Sequence, residues 1–390
     1  MRVLHVIPSF YPAHGYGGPV QSVFHLCRKL AETGCDVRVL TTNANGPTTV
    51  LDVATDSEVV VAPGVRVRYA RRISSDSLSI ALLGKLPGLV RWADVVHLTS
   101  VYSFPVIPTM LACRIASRPL VWSPRGSLQR WSGSTRTSLK DLWDSVCRVT
   151  QPKNTVLHVT SEQEASESGA RYPALGTANI PNGVVVPEKL VQRQPDGIMR
   201  LVFLGRLHPK KGIENLLEAG AKLREAGFLW SLNIAGKGDA EYTAALGRRI
   251  EELNVADLVT MTGEVIGAEK QRVLENADLA VFPSYTENFG LVVAEALAHG
   301  LPVIASRGTP WQEVESRGCG LWVENDPASL QRAIVQCSSL PLHEMGRRGR
   351  EWMLADYSWD RAAAATLALY DRIIGGAGQA VSALDVQRAS

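Results

Sequence analysis

Two glutamates in the second half of the chain are the first residues whose type and spacing suggest chemistry. Glu287 and Glu295 lie eight residues apart in the stretch 280–306, whose pattern predicts a strand, a polar loop, a helix over 291–298 and a second strand. We predict that Glu287 precedes the helix and that Glu295 lies about one turn inside it. Both carboxylates then point to the space above the helix N-terminus, where Gly290 gives a ligand access to free backbone N–H groups.

Basic residues earlier in the same half complement these carboxylates. Arg206 and Lys211 lie in a loop that follows a predicted strand over 201–204. Cations and a helix N-terminus suit a diphosphate, whereas carboxylates suit a ligand that is rich in hydroxyl groups. A nucleotide sugar has both features. The chain has no Asp-x-Asp pair, so we expect no metal, and the charge of the leaving group falls to Arg206, Lys211 and backbone dipoles.

A glycine-rich turn follows the first predicted strand, which covers residues 2–9, and precedes a predicted helix over 20–32. Gly17 and Gly18 can admit a diphosphate to the backbone at the helix N-terminus, although a simple tight turn also explains them. The turn lacks the Gly-x-Gly-x-x-Gly fingerprint of dinucleotide enzymes, which argues against an oxidoreductase.

Strands and helices alternate through both halves, which predicts the α/β class with two Rossmann-like, doubly wound parallel sheets that face each other across a cleft. The predicted domains are 1–190 for the acceptor and 191–356 for the nucleotide sugar. A last helix over 357–374 is expected to cross back to the first domain, and 375–390 is expected to be a disordered tail.

Polar residues in the first half follow or interrupt its predicted strands. Arg125 comes after the strand 120–123, where it could hold a substrate phosphate or carboxylate or form a structural salt bridge. His97 and His158 lie inside apolar strands, and we predict that both are buried beside a backbone partner.

Charge is distributed unevenly between the halves. Residues 1–195 contain 21 Lys and Arg against 13 Asp and Glu, or +8, whereas residues 196–390 contain 20 against 25, or −5. The basic half could face anionic lipid, a phosphorylated acceptor or an ordinary solvated surface, and no recognised motif supports nucleic acid. Because neither a signal peptide nor a membrane-spanning run is predicted, we expect a cytoplasmic protein whose membrane contact, if any, is peripheral.

Several motifs in combination resemble retaining glycosyltransferases of family 4, which have the GT-B fold, over residues 1–374. They are Gly17-Gly18-Pro19, Ile180-Pro181-Asn182-Gly183-Val184, Leu204-Gly205-Arg206 with Lys211-Gly212, Ala235-Gly236-Lys237-Gly238, and Pro283-Ser284 through Glu287-Asn288-Phe289-Gly290 to Glu295-Ala296. The resemblance implies transfer of a sugar from a nucleotide sugar with retention of anomeric configuration, by front-face attack within an ion pair. No cofactor is implied.

The resemblance also implies a role for each site residue. Glu287 would bind the hydroxyls of the donor sugar, Glu295 the ribose, and Arg206 and Lys211 the diphosphate. The remaining donor contacts would come from Gly17 and Gly18 (phosphate side), Val265 (near the base), and the amides of Asn288, Phe289, Gly290 and Leu291 (sugar and diphosphate).

One segment departs from the family pattern. Many relatives have a His-Gly pair after the strand that corresponds to 120–123, whereas this chain has Pro124-Arg125-Gly126. Arg125 therefore becomes the candidate for contact with the donor sugar or an acceptor phosphate. This variant resembles enzymes of bacterial polysaccharide biosynthesis.

The expected function is transfer of a hexose from a UDP- or GDP-sugar to a glycan acceptor. The charge of the basic half favours an acceptor that is lipid-linked and a site at the cytoplasmic membrane face. Two alternatives remain: a glycosyltransferase with a soluble sugar-phosphate or small-molecule acceptor, and a non-catalytic nucleotide-sugar-binding protein.

Overall fold

The computed structural model describes residues 1–13, 17–46, 48–55, 57–74, 77–129, 137–191 and 196–376. Its contacts divide the chain into two compact units. The first comprises Met1–Gly183 and the chain from Trp359 onwards, and the second comprises Val184–Ser358. Most of the predicted tail, residues 377–390, lies outside the described residues.

A mostly parallel sheet forms the middle of the first unit. Its described strands are β1 (Arg2–Ser9), β2 (Asp36–Thr42), β3 (Val59–Ala62), β4 (Val65–Ala70), β5 (Val95–Thr99), β6 (Leu120–Ser123), β7 (Thr155–Val159) and β8 (Gly176–Asn179). They lie in the order β3-β4-β2-β1-β5-β6-β7-β8, and among them the edge pair β3–β4 is antiparallel. The direction of winding reverses between β1 and β5, which pair directly.

Helices cover both faces of this sheet because its strands are apolar on both sides. They are α1 (Gly18–Glu32), α2 (Ile80–Trp92), α3 (Val106–Ile115), α4 (Thr137–Thr150) and α5 (Glu162–Arg171). Alternate residues of each strand belong to different cores. Val3, for example, packs in the core that includes α1, whereas Leu4 packs in the core that includes α2 and α3.

The second unit contains a smaller parallel sheet. Its strands are β9 (Met199–Leu204), β10 (Trp230–Ala235), β11 (Val259–Gly263), β12 (Leu279–Phe282), β13 (Val303–Ser306) and β14 (Gly320–Val323), in the order β11-β10-β9-β12-β13-β14. The helices are α6 (Ile213–Glu225), α7 (Ala240–Glu252), α8 (Gly267–Glu275), α9 (Leu291–Ala298), α10 (Glu313–Ser316), α11 (Pro327–Ser338) and α12 (Leu342–Asp356). Here the winding reverses between β9 and β12.

The last helix, α13 (Trp359–Ile374), packs with α1 in the first unit. Tyr370 is fully buried there, and Lys29 forms an ion pair with Asp360 at 2.9 Å. The boundary predicted between 190 and 191 falls inside the second unit. The chain joins that unit earlier because the Val184 N–H donates to the carbonyl oxygen of Tyr357 at 2.7 Å.

The predicted class, with two doubly wound sheets, is confirmed, but four elements were not predicted: β3, β8, α5 and the four-residue helix α10. The strands β3 and β8 are short edge strands, and β8 contains Gly, Thr, Ala and Asn, which signal a strand weakly. The helix α5 has no apolar stripe and begins because Ser161 Oγ accepts from the Glu164 N–H at 3.1 Å. None of the helices in the described ranges combines the length and apolarity that crossing a bilayer requires.

Candidate active site

The loops after β9 and β12 meet where the second sheet reverses its winding, which is the usual ligand position in doubly wound sheets. Lys211 ends a 3-10 turn (Pro209–Lys211) after β9, and Glu287 follows β12. The Lys211 ammonium donates to the Glu287 carboxylate, and the two side chains are 12% and 11% exposed. The structure therefore pairs two residues that were predicted to contact one ligand.

Close approach of these two loops depends on Gly212. The backbone of this residue adopts the left-handed helical conformation, with φ 62° and ψ 30°. A Cβ atom at Gly212 would lie 2.1 Å from the carbonyl oxygen of Pro283. A larger residue would therefore be strained and would push the loops apart, separating Lys211 from Glu287.

Glu287 is held as a carboxylate. Its residue is 8% exposed, and one carboxylate oxygen accepts from Ser284 Oγ at 2.8 Å. Burial would raise the pKa of Glu287, but the charges of Lys211 and Lys210, with hydrogen bonds from Lys211 and Ser284, hold the pKa below its usual value. Glu287 is consequently an acceptor for hydroxyl groups and a poor proton donor near neutral pH.

Positive charge exceeds negative charge around this carboxylate. Burial lowers the pKa of Lys210, Glu287 opposes that shift, and Lys211 and Arg206 reinforce it. Arg206, just after β9, is exposed. Three cations against one carboxylate suit the anionic part of a ligand, and a diphosphate has the geometry that Arg and Lys bind.

The start of α9 is a buried turn with a glycine at the cap position. Gly290 caps α9 in a left-handed conformation, with φ 73° and ψ 54°, and no side chain caps the helix. Leu291 is its first residue, Asn288 is partly buried, and Phe289 is 6% exposed. The Phe289 carbonyl oxygen accepts from Trp311 Nε1 at 2.6 Å, which fixes the loop that leads into the helix.

Glu295 lies on α9, one turn inside the helix as predicted. Its carboxylate accepts from Lys270 Nζ on α8 at 2.6 Å, and its side chain is 17% exposed. Val265 is 7% exposed and packs in the same apolar core as Phe289. The proposed contacts of Glu295 with a ribose and of Val265 with a base stay predictions.

Gly17 and Gly18 lie at the start of α1 in the first unit. Gly17 has φ 71° and ψ −142°, a conformation that L side chains rarely adopt. Both residues are exposed, and no described atom lies within 4 Å of a Cβ placed at either. The backbone is thus open to a ligand on this side, as a phosphate contact requires.

Arg125 follows β6 in the first unit with φ 53°. Its guanidinium donates to Asn182 Oδ1 at 2.6 Å, whereas Nε is buried with no partner among the described residues. Burial lowers the pKa of Arg125, and the nearby Glu164 and Tyr370 raise it. These contacts fix the guanidinium within the first unit, and a contact with substrate stays a prediction.

The two predicted buried histidines differ in their partners. His158 Nε2 lies 3.0 Å from the carbonyl oxygen of Ile180, as the predicted backbone partner requires. His97 is also buried, but the prediction of a backbone partner was wrong. Its ring nitrogens lie 2.6 Å from the hydroxyl of Tyr370 and 2.7 Å from that of Ser123.

Sequence reasoning missed three side chains in the second unit: Lys210, Ser284 and Lys270. Lys210 adjoins Lys211 and was visible as part of a basic loop, and Ser284 lies in the Pro283-Ser284 motif. Lys270 gave no signal, because a lysine on a polar helix is ordinarily solvated. Within the described ranges, no group of three or more His, Cys, Asp or Glu side chains could hold a metal ion.

Comparison with known protein families gives two matches. Residues 17–183 match the family described as Glycosyl transferase 4-like domain, and residues 199–339 match Glycosyl transferases group 1. The first match lies in the first unit and the second match in the second unit.

Individual proteins match along almost the whole chain. D-inositol 3-phosphate glycosyltransferase 2 of Catenulispora acidiphila is 29% identical, with 95% of this chain and 94% of the relative covered. Sucrose-phosphate synthase of Thermosynechococcus elongatus has a TM-score of 0.74 at 22% identity, with 96% and 99% covered. Anabaena HepE in complex with UDP has a TM-score of 0.72 at 18% identity, with 95% and 100% covered. The predicted GT-B fold is confirmed, and the two matched domains together identify the chain as a glycosyltransferase.

Proposed function

We propose that this glycosyltransferase moves a hexose from a UDP- or GDP-sugar to a glycan acceptor, with retention of anomeric configuration and without a metal ion. The observation that carries the proposal is the buried Lys211–Glu287 pair beside Arg206 and Lys210. The cations match a diphosphate and the carboxylate matches sugar hydroxyls, so a nucleotide sugar satisfies both.

Each part of the donor has a partner in this proposal. Glu287 accepts hydrogen bonds from the hexose hydroxyls, and the backbone N–H groups at the start of α9 face the sugar and the diphosphate. Glu295 accepts from the ribose hydroxyls, and Val265 lies near the base. From the first unit, Gly17 and Gly18 approach the phosphate, and Arg125 is the candidate for an acceptor phosphate.

The chemistry of the leaving group follows from the charges. When the bond between the anomeric carbon and the diphosphate breaks, negative charge grows on the diphosphate oxygens. Arg206 and Lys211 stabilise that charge without a metal ion. Glu287 stays ionised beside Lys211 and gives up no proton. The acceptor hydroxyl attacks from the face that the diphosphate leaves and passes its proton to the leaving diphosphate oxygen. Attack on this face retains the anomeric configuration.

A lipid-linked glycan is the acceptor that we favour, at the cytoplasmic face of a membrane and in the synthesis of a cell-surface polysaccharide. Support comes from the +8 charge of residues 1–195, which suits anionic lipid or phosphate. A peripheral contact through this basic half would bring the enzyme to such an acceptor.

A second candidate is a soluble sugar phosphate as acceptor. The relative from Catenulispora acidiphila, which is 29% identical, is named for D-inositol 3-phosphate. Arg125 and the basic half would serve a phosphorylated soluble acceptor equally well. The two candidates differ in whether transfer requires membranes.

Thermal-shift measurements with UDP, GDP and ADP test the donor. We expect a midpoint increase with UDP or GDP, because a ligand that binds the folded state stabilises it by mass action. Lys211→Met should reduce the increase, whereas Lys222→Met on α6 should preserve it. No shift with any nucleotide would argue against the proposal.

Product analysis then tests the reaction. The sugar nucleotides of the stabilising base are incubated with washed membranes or with inositol phosphate, and mass spectrometry detects the glycosylated product. We expect transfer with membranes, unchanged by EDTA. Transfer to the soluble phosphate alone would favour the second candidate, and loss of activity in EDTA would contradict metal independence.

A further inference from the structure

The helix α4 exposes an apolar stripe on the first unit. Leu139, Leu142, Val146 and Val149 are 64%, 64%, 37% and 69% exposed. At about 100° per residue these four side chains fall within roughly 80° on one side of the helix. The opposite side is packed, because Cys147 and Asp144 are fully buried.

The neighbouring helix α3 extends this apolar area. Leu111 and Ile115 are 46% and 76% exposed, and α3 packs against α4. The Arg114 guanidinium of α3 donates to the carbonyl oxygen of Val149 on α4, so the exposed ends of the two helices lie side by side. We call the exposed residues Leu111, Ile115, Leu139, Leu142, Val146 and Val149 the α3–α4 surface.

Positive charge is concentrated in the same part of the chain. Residues 106–154 contain eight Lys and Arg and two Asp and Glu, a net +6 of the +8 carried by residues 1–195. Both acids are paired within the unit, since Arg171 forms ion pairs with Asp141 at 3.1 Å and with Asp144. Of the Lys and Arg residues in 106–154 that the structure describes, Arg114, Arg148 and Lys153 are exposed.

We propose that the α3–α4 surface binds the headgroups and outer acyl region of an anionic membrane. Apolar side chains on one side of a helix insert to a shallow depth, and lysines and arginines beside them bind lipid phosphates. The exposed Arg114, Arg148 and Lys153 make lipid phosphates a better match than a protein surface without acidic residues. The assignment rests on the membrane-bound acceptor proposed above, and it names the part of the basic half that reaches the membrane.

Sedimentation of the full chain with vesicles tests the proposal. Vesicles of phosphatidylglycerol and phosphatidylcholine in equal parts should bind the protein, and vesicles of phosphatidylcholine alone should bind it weakly. Binding should fall as salt rises, because the Debye length shortens from ~10 Å at ~0.1 M to ~3 Å at ~1 M. Equal binding to both vesicle types would overturn the proposal.

Two double variants distinguish binding through the α3–α4 surface from non-specific binding to vesicles. Leu142→Gln with Val149→Gln should lower the vesicle partition coefficient about 10-fold, because two exposed apolar side chains lose their burial in lipid. The matched control is Val335→Gln with Leu354→Gln, which removes side chains of 43% and 51% exposure from the second unit and should leave partitioning unchanged. Partitioning that is unchanged in the first variant, or equally reduced in both, contradicts the proposal.

The nucleotide thermal shift and the molecular mass in solution distinguish two other outcomes. The nucleotide thermal shift should be the same in both variants and the natural sequence, since the α3–α4 surface belongs to the first unit. Absence of that shift in every protein would remove the proposed function while leaving the vesicle result interpretable. Light scattering measures the molecular mass in solution. If the natural sequence forms a dimer and the Leu142→Gln, Val149→Gln variant is a monomer, a second copy of the chain occupies the surface instead of a membrane.

Discussion

At the scale of single residues, the central feature is a carboxylate kept ionised by its surroundings. Glu287 is almost fully buried, and burial alone would favour its neutral form. Lys211 and Ser284 compensate with hydrogen bonds, and Lys210 adds a second positive charge. The two lysines carry more positive charge than Glu287 balances. This arrangement of four side chains from two loops therefore suits an anionic ligand.

The contact between Lys270 and Glu295 leads to a prediction about ribose recognition. Lys270→Met should weaken binding of the preferred nucleoside diphosphate about 3- to 10-fold, because a partly buried charge-assisted contact contributes ~1 kcal/mol. Calorimetry should show a much smaller loss for the 2′-deoxy nucleotide, which lacks one of the hydroxyls assigned to Glu295. An equal loss for both nucleotides, or none, would argue against this use of Glu295.

Sequence alone located most of the polar residues of the second unit but not their pairings. The positions of Glu287 before α9 and of Glu295 inside it followed from apolar spacing and from Gly290. The partner of Glu295 did not, because Lys270 lies on another helix and its contact depends on how α8 packs against α9. Arg125 shows the same limit, since its bond to Asn182 joins residues 57 positions apart.

At the scale of elements, the glycine at 212 controls how the loop after β9 meets the loop after β12. We expect Gly212→Ala to lower the free energy of unfolding by more than ~2 kcal/mol and to abolish nucleotide binding, because the new Cβ meets Pro283 as well as an unfavourable φ. Gly227→Ala is a matched control, with φ 69° and no atom within 4 Å of its Cβ. It should cost only ~1 kcal/mol and should keep nucleotide binding. Denaturant titration measures both.

A row of histidines crosses the first sheet and predicts acid sensitivity of that unit. Burial first, and the nearby Arg125 second, lower the pKa of His5 and of His158 to about 3. Between about pH 6.5 and pH 3, therefore, the unfolded chain binds more protons than the folded chain. The stability of the first unit should fall as pH drops through this window, by up to about 1.4 kcal/mol per pH unit for each histidine.

Replacement of His5 checks this account. Neither ring nitrogen of His5 has a partner among the described residues, and the ring stacks on His97 at 4.7 Å. His5→Leu should keep or increase stability at pH 7, since no hydrogen bond is lost. It should also reduce the difference in thermal midpoint between pH 7 and pH 5. A midpoint difference identical to that of the natural sequence would contradict the proposed cause.

The order of elements was predictable because apolar runs and short polar connections alternate along the chain. The predicted helix over 268–276, for example, differs from the observed α8 by one residue at each end. What could not be predicted was long-range. The pairing of His97 with Tyr370 of α13 links residues 273 positions apart, and no local pattern encodes it.

At the scale of the whole molecule, the sequence divides its charge between a basic half and an acidic half. Residues 196–390 carry −5, yet the loops after β9 and β12 concentrate cations against that background. Such a local reversal of sign marks the part of the acidic half that is suited to an anion. In the proposed function, the basic half would serve an anionic acceptor or surface and the acidic half would serve the donor.

The rate of sugar transfer in variants of the Lys211–Glu287 pair tests the central claim most directly. Lys211→Met and Glu287→Gln should each lower kcat about 100-fold or more, since groups that face developing charge contribute on that order. The matched control is the exposed ion pair of Arg347 and Glu344, where Arg347→Met and Glu344→Gln should leave kcat unchanged. Thermal denaturation first establishes that all four variants are folded. Transfer at the natural rate in folded Lys211→Met and Glu287→Gln would contradict the account.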